Sequence, residues 1–249
     1  MSTTRLMCTK ISPFCIHLWH IPLTSEHQPN LNVLSFDEQN RYHKFYFPEH
    51  RLRFALAKEA SRRILSLYLP LQPQDIEFTT GPHGKPRLVS SCSLEFNLSH
   101  SRDQAILAVG QQHPLGVDLE FMSTRPYLGI AADLFSPKEL HALTLLHPAL
   151  LALNFFSLWS QKEALIKQLG LGLRYPTQGI DLQALPQHPY HIKEPMQQTP
   201  LKIKAWWPTP GLSAALCYDP CIQSIQHYRY DPFVSLENLA ATPGIEHPA

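Results

Sequence analysis

Two hydrophobic periods follow one another along this chain, and they do so twice. Within EHRLRFALAKEASRRILSLYL, apolar residues recur at 52, 56, 60, 64 and 67, the stripe of one helical face. This helical region starts at Ser35, which has Glu38 three residues on, the spacing of a capping box, and Pro48 interrupts it. Beyond Leu69 the period changes. Short apolar runs at 75–79, 94–98, 105–109 and 115–120 lie between turn residues such as those of GPHGKPRL and read as strands of an antiparallel sheet. The order then repeats. Ile130 to Leu134 reads as a short helix, and Ser136 caps another through Pro137 and Glu139. Leu150 to Gln168 reads as a strong helix ended by Gly170 and Gly172. Strand candidates follow at 179–182, 201–207, 213–218 and 224–230, and CIHLWHI adds a strand at the front. Helix followed by strands, taken twice, predicts an α+β chain of two similar halves, 1–112 and 113–249, joined near Gln111 to Leu115.

A formal net charge of +1 leaves no global field for nucleic acid, so no nucleic-acid partner is expected. The basic positions Arg51, Arg53, Lys58, Arg62 and Arg63 read first as a solvated helix face. No apolar run is long enough to span a bilayer and no apolar leader is visible, so the expectation is a cytoplasmic protein without a membrane partner. An odd count of five cysteines then favours free thiols. Cys217 and Cys221 flank Tyr218-Asp219-Pro220, but no further metal ligands accompany them in sequence, and they read as structural.

Three short stretches carry chemistry. In GVDLE a strand aims Asp118 and Glu120 one way and Val117 and Leu119 the other. Two carboxylates on one face repel unless a cation neutralises them, and hard oxygen ligands suit Mg²⁺ or Mn²⁺. On spacing alone, two solvated acids at a strand end remain the simpler reading. In WSQKEALIK, helical spacing puts Trp159, Glu163, Ile166 and Lys167 on one face. Glu163 and Lys167 could be a surface ion pair, but the Trp argues for a half-buried face whose charges need partners. In FNLSHS, Ser99 and His100 end a strand and could donate to a phosphate or form half of a hydrolase triad. No G-x-S-x-G elbow supports the triad, and no G-x-x-x-x-G-K-[ST] loop is present.

Together these stretches resemble the 4′-phosphopantetheinyl transferases of the surfactin-synthetase-activating type. Gly116 to Glu120 matches the G-[IV]-D-[IL]-E of that family, Trp159 to Lys167 its W-x-x-K-E-[AS]-x-x-K, Phe96 to Ser101 its F-N-[IL]-S-H-[ST], and Gly84-Lys85-Pro86 its G-K-P. The resemblance extends into RYHKFYFPEHRLRF and runs from Arg41 to Ile180. It implies two α+β halves related by a pseudo-twofold axis, in a monomer with the active site between them. It implies transfer of the phosphopantetheine arm of coenzyme A to a serine of an apo carrier protein, releasing adenosine 3′,5′-bisphosphate. Asp118, Glu120 and Glu163 would hold Mg²⁺, Glu163 would act as general base, and Lys167 would stabilise charge on the phosphate. For coenzyme A the resemblance implies Arg41, Lys44 and Arg53 on the 3′-phosphate, Lys85 and Pro86 beside the adenine, and Ser99, His100, Asp118, Lys162 and Lys167 on the rest. Phe121, Met122 and Tyr127 would meet the carrier, with internal packing as their alternative. The rival readings are a Mg²⁺-dependent nuclease and a non-catalytic carrier-binding relative.

Overall fold

The computed structural model describes residues 10–89, 92–124, 126–172, 175–195, 199–241 and 245–248. The strand β1 (Cys15–Pro22) leads to the helices α1 (Phe36–Lys44) and α2 (Pro48–Leu65). A small hairpin of β2 (Phe78–Thr80) and β3 (Pro86–Leu88) precedes β4 (Leu94–Ser101), β5 (Gln104–Gln111) and β6 (Gly116–Phe121). Then come α3 (Tyr127–Leu134), α4 (Pro137–Thr144) and α5 (Pro148–Leu169). The chain closes with β7 (Tyr190–Ile192), β8 (Leu201–Thr209), β9 (Leu212–Tyr218), β10 (Ser224–Arg229), α6 (Leu236–Ala241) and β11 (Ile245–Pro248).

One sheet has the order β11-β10-β1-β5-β4 and the other β6-β9-β8-β7. The burial pattern stacks them as helix, sheet, sheet, helix. On β5, Leu107 and Val109 pack with Ala57 and Ile64 of α2, while Ile106 and Ala108 pack with Val117, Leu119 and Leu216 of the second sheet. On β9, Ala215 and Cys217 pack with Phe155, Phe156 and Leu165 of α5. Strands covered on both faces lose the apolar–polar alternation, which is why QAILAVGQ and LSAALCY read as nearly continuous apolar runs.

The two halves share a buried ionic device. Ser35 and Ser136 each form a full capping box, with Glu38 and Glu139. The long helix that follows starts at Pro48 in one half and Pro148 in the other, and each carries a buried cation, Arg62 or Lys162, at the same offset. Arg62 bonds Glu38 at 2.7 Å and donates to the carbonyls of Pro73 and Ile76. Lys162 pairs with Glu139 at 2.9 Å and donates to the carbonyls of Thr177 and Ile180. In each half one buried cation thus ties the capping box of the short helix to the loop beyond the long one. Buried charges persist only when paired and fully hydrogen-bonded, and these are.

This device corrects three expectations. Lys162 is only 2% exposed and its ammonium is engaged on three sides, so it cannot bind coenzyme A. The strand expected at 179–182 is a 3₁₀ turn and a loop, because Lys162 and Glu139 take the backbone groups that a strand neighbour would have taken. The strand expected at 75–79 starts only at Phe78 for the same reason, the Ile76 carbonyl being held by Arg62. Beyond Tyr218 the chain leaves the second sheet. β10 pairs in parallel with β1, Cys15 opposite Ser224 through His20 opposite Arg229, so the tail returns to the first sheet and the chain crosses between the sheets twice. Among the described residues no helix is long and apolar enough to cross a membrane. Cys217 and Cys221 are free thiols; Cys8 lies outside the described residues.

Candidate active site

The three stretches singled out in sequence converge where the edge of the first sheet meets the edge of the second. On β4 the side-chain oxygens of Asn97, Ser99 and Ser101 accept the backbone N–H groups of Val117, Leu119 and Phe121 on β6, at 2.8, 3.2 and 2.9 Å. Both the polar positions of β4 and the free N–H groups of β6 recur every second residue, so one register satisfies all three. This ladder of side chains fixes FNLSHS against GVDLE without backbone pairing.

The other face of β6 lies against α5. Gly116 is required there, since a Cβ at that position would sit 2.2 Å from the Ala164 carbonyl oxygen and the Gln168 nitrogen. The helix is held at its start by His147, which accepts from the Ala149 N–H, and stopped at Gly170, whose φ of 68° suits glycine. The close approach brings Glu163 and Lys167 over Asp118 and Glu120.

The carboxylate of Asp118 is 2% exposed. Its Oδ1 accepts from Lys167 Nζ at 2.5 Å and from the Ser99 hydroxyl at 3.0 Å; its Oδ2 is buried without a hydrogen-bond partner. Glu120 is half-buried and accepts from the Trp159 indole at 3.3 Å, which gives that Trp a positioning role as well as a packing one. Glu163 is half-buried, and its carboxyl is pushed up to about 7, by loss of water first and then by the charge of Asp118, with Glu120 adding and Lys167 opposing. The acids are therefore close enough to feel one another. Lys167, 27% exposed at its side chain, also donates to Ser99 Oγ at 3.0 Å.

Ser99 and His100 do not act as a pair. Successive residues on β4 point to opposite faces. Ser99 is buried with its hydroxyl spent on Asp118, which corrects the expectation that it donates to a phosphate and removes the triad reading. His100 is exposed on the face that Phe96 and Leu98 present to α2. Its pKa is lowered, by desolvation first and then by the positive charges of Lys167, Lys58 and Arg41. Arg41 and Lys58 both lie over the Phe54 ring, 5.3 and 6.0 Å from its centre. Lys58 was missed in sequence because it belongs to a run of basic helix positions that look solvated. Asn97 and Ser101 were also missed, although three polar residues at period two opposite an apolar face were a visible signal.

The remaining sites are placed less directly. Lys44 is exposed at the end of α1. Arg53 is held by Asp103, 2.9 Å from Nε and 2.8 Å from Nη2. Lys85 donates to the carbonyls of Leu115 and Gln168, at 2.9 and 3.2 Å, and burial lowers its ammonium to about 8. Its head group thus fastens the β2–β3 hairpin to the start of β6 and the end of α5, while Pro86 is exposed beside it. Phe121, Met122 and Tyr127 pack inward: Arg102 stacks 3.5 Å from the Phe121 ring centre, Met122 borders the α5 core, and Tyr127 meets Phe155 and Phe156. Each of the three is only partly buried.

Residues 114–217 match the family described as the 4′-phosphopantetheinyl transferase superfamily, and residues 18–112 match the 4′-phosphopantetheinyl transferase N-terminal family. The 4′-phosphopantetheinyl transferase HetI of Nostoc sp. is 36% identical over 72% of this chain and 78% of its own length. The 4′-phosphopantetheinyl transferases ffp and Sfp of Bacillus subtilis are 32% and 31% identical, each over 79% of this chain and 87% of their own length. With these two matches and with relatives above 30% identity spanned over more than three quarters of their length, the chain belongs to the 4′-phosphopantetheinyl transferase superfamily.

Proposed function

We propose that this protein transfers the 4′-phosphopantetheine arm of coenzyme A to a serine of an apo acyl or peptidyl carrier protein, releasing adenosine 3′,5′-bisphosphate. The observation that carries the reading is the meeting of Asp118, Glu120 and Glu163 with Lys167 at the junction of the two sheets. The donor set fits a hard divalent cation: Asp118 keeps a buried oxygen without a partner, and burial first, then the charges of Asp118 and Glu120, raise the Glu163 carboxyl to about 7. Asp118, Glu120 and Glu163 would hold Mg²⁺, with Mn²⁺ as substitute. When bound, the ion neutralises charge on the pyrophosphate.

The chain's own groups do the rest. Glu163, placed beside the other two acids, would take the proton of the carrier serine, directly or through a water. The serine oxygen then forms a bond to the phosphorus that carries the pantetheine arm. The bond from that phosphorus to the bridging oxygen breaks, and the bisphosphate leaves. Lys167 would exchange its contact with Asp118 for the phosphate, staying near the developing charge. Its second contact, Ser99, keeps it aimed. Arg41 and Lys58 supply positive charge, and His100, kept neutral beside them, a hydrogen-bond donor, a group suited to the 3′-phosphate, a role for which Arg53 would have to leave Asp103. A cytoplasmic monomer is part of the same proposal, and size-exclusion chromatography with light scattering tests the monomer.

The test is to incubate the protein with Mg²⁺, coenzyme A and a panel of apo carriers, and to weigh each carrier by intact mass spectrometry. A gain of one phosphopantetheine mass that EDTA abolishes is expected. No gain on any carrier, with coenzyme A bound, would leave a non-catalytic carrier-binding role instead.

A further inference from the structure

We propose that His113, Asp219 and Cys221 form a second cation site, for an ion of the zinc class, that pins the two chain crossings between the sheets. His113 lies in the link from β5 to β6, where the chain leaves the first sheet. Asp219 and Cys221 lie in the link from β9 to β10, where it returns. Folding sets the links side by side, with one ligand atom of each residue within 4.8 Å of the others. All three residues are half-buried. In sequence the pair around Asp219-Pro220 lacked a partner; the fold supplies it as His113.

The turn is built to present its two donors together. The Asp219 carbonyl accepts from the Ile222 N–H at 3.1 Å, and Asp219 Oδ1 accepts from the Cys221 N–H at 2.8 Å. The carboxylate and the thiol are thereby folded onto one side of the turn, and Asp219 Oδ2 is left 3.7 Å from His113 Nδ1. A tetrahedral ion with bonds of about 2.0–2.3 Å separates its ligand atoms by roughly 3.3–3.8 Å. The His–Asp spacing is already in that range, and the 4.8 Å limit asks the thiol for a side-chain rotation at most.

One nitrogen, one sulfur and one oxygen make a donor set that zinc takes, whereas magnesium prefers oxygen alone. The site is thus chemically distinct from the all-carboxylate one on β6. Binding exchanges the Cys221 thiol proton for the metal: an S–H bond is lost, an S–metal bond forms, and one proton goes to solvent. A fourth position would be filled by water. The consequence reaches the active site, since the first link runs directly into Gly116 and the strand bearing Asp118 and Glu120.

Co²⁺ is the probe, added to the full chain in excess Mg²⁺, so that the carboxylate site is filled. One equivalent of Co²⁺ giving a thiolate-to-cobalt charge-transfer band in the near ultraviolet is expected. Cys221→Ser should abolish the band, and His113→Ala should weaken Co²⁺ binding at least about tenfold. Zn²⁺ should displace the cobalt and raise the unfolding midpoint of the parent protein but not of Cys221→Ser. Neither residue belongs to the proposed transferase machinery, so Mg²⁺-dependent transfer and the circular dichroism spectrum report whether each variant is folded. If Cys221→Ser fails to fold, His113→Ala carries the test alone. No charge-transfer band with Co²⁺ in excess, or a band that survives both substitutions, overturns the proposal.

Discussion

Replacing Glu163 by Gln should stop the reaction and stabilise the metal-free protein. The folded state holds the Glu163 proton up to a pH of about 7, whereas the unfolded chain releases it at its ordinary 4.5. A carboxyl whose pKa is raised by folding lowers stability as pH rises. The loss is absent below pH 4.5, builds between 4.5 and 7, and is constant above. At about 1.36 kcal/mol per pH unit, the displacement from 4.5 to about 7 corresponds to roughly 3 kcal/mol. The carboxylate is only half-buried, and water reaching it screens part of this, leaving about 1–3 kcal/mol. For a chain of this size that is a rise in melting temperature of roughly 2–12 °C. The assay is thermal unfolding of both proteins in EDTA at pH 8 and at pH 4.5. The Gln variant should be the more stable at pH 8 and indistinguishable at pH 4.5. Saturating Mg²⁺ should close the gap at pH 8 by stabilising the parent protein. Turnover should fall by at least about 10²-fold, as for loss of a general base. A variant no more stable than the parent at pH 8, or an offset equal at both pH values, would refute the argument that burial and the neighbouring acids raise the Glu163 carboxyl.

The other predictions concern residues with separate duties. Lys162→Met strands the buried carboxylate of Glu139 and should cost about 3–5 kcal/mol by denaturant unfolding, with turnover per folded molecule unchanged. A loss of turnover without loss of stability would return Lys162 to the site. Gly116→Ala forces a methyl group against the backbone of α5 and should cost about 3 kcal/mol or more; a near-normal urea midpoint would mean that β6 and α5 are not in this contact. His100→Ala should raise KM for coenzyme A about tenfold, a loss of about 1.4 kcal/mol, and leave kcat within about twofold. A change confined to KM for the carrier would move His100 to the docking face.

Much of the site was legible because its residues follow the periods of their elements. A strand must present Asp118 and Glu120 together, and a helix must present Glu163 and Lys167 together. Capping boxes at Ser35 and Ser136 were equally plain, being local in sequence, and both formed. Their likeness could have been carried further: each is followed by a proline-led helix with a cation at the same offset, Arg62 or Lys162. That comparison would have marked Lys162 as a structural residue. Nothing local could have done so, since Lys162 and Glu163 are neighbours in the same motif and differ only in the side of the helix they occupy. Ser99 and His100 failed as a pair for the same reason, one turned to β6 and the other to α2.

What the sequence determined by itself was the long helices, the principal strands and which side chains share a face, because these follow from the backbone geometry of a few consecutive residues. It also determined the family, through motifs whose residue types are tied to one chemistry. Which faces meet was decided only by tertiary structure. The contact of Gly116 with α5, the ladder from Asn97, Ser99 and Ser101 to β6, the return of β10 to β1 and the approach of His113 to Asp219 and Cys221 all join residues far apart in the chain. Such contacts depend on how two sheets and two helices bury their apolar faces at once, and no local period encodes that.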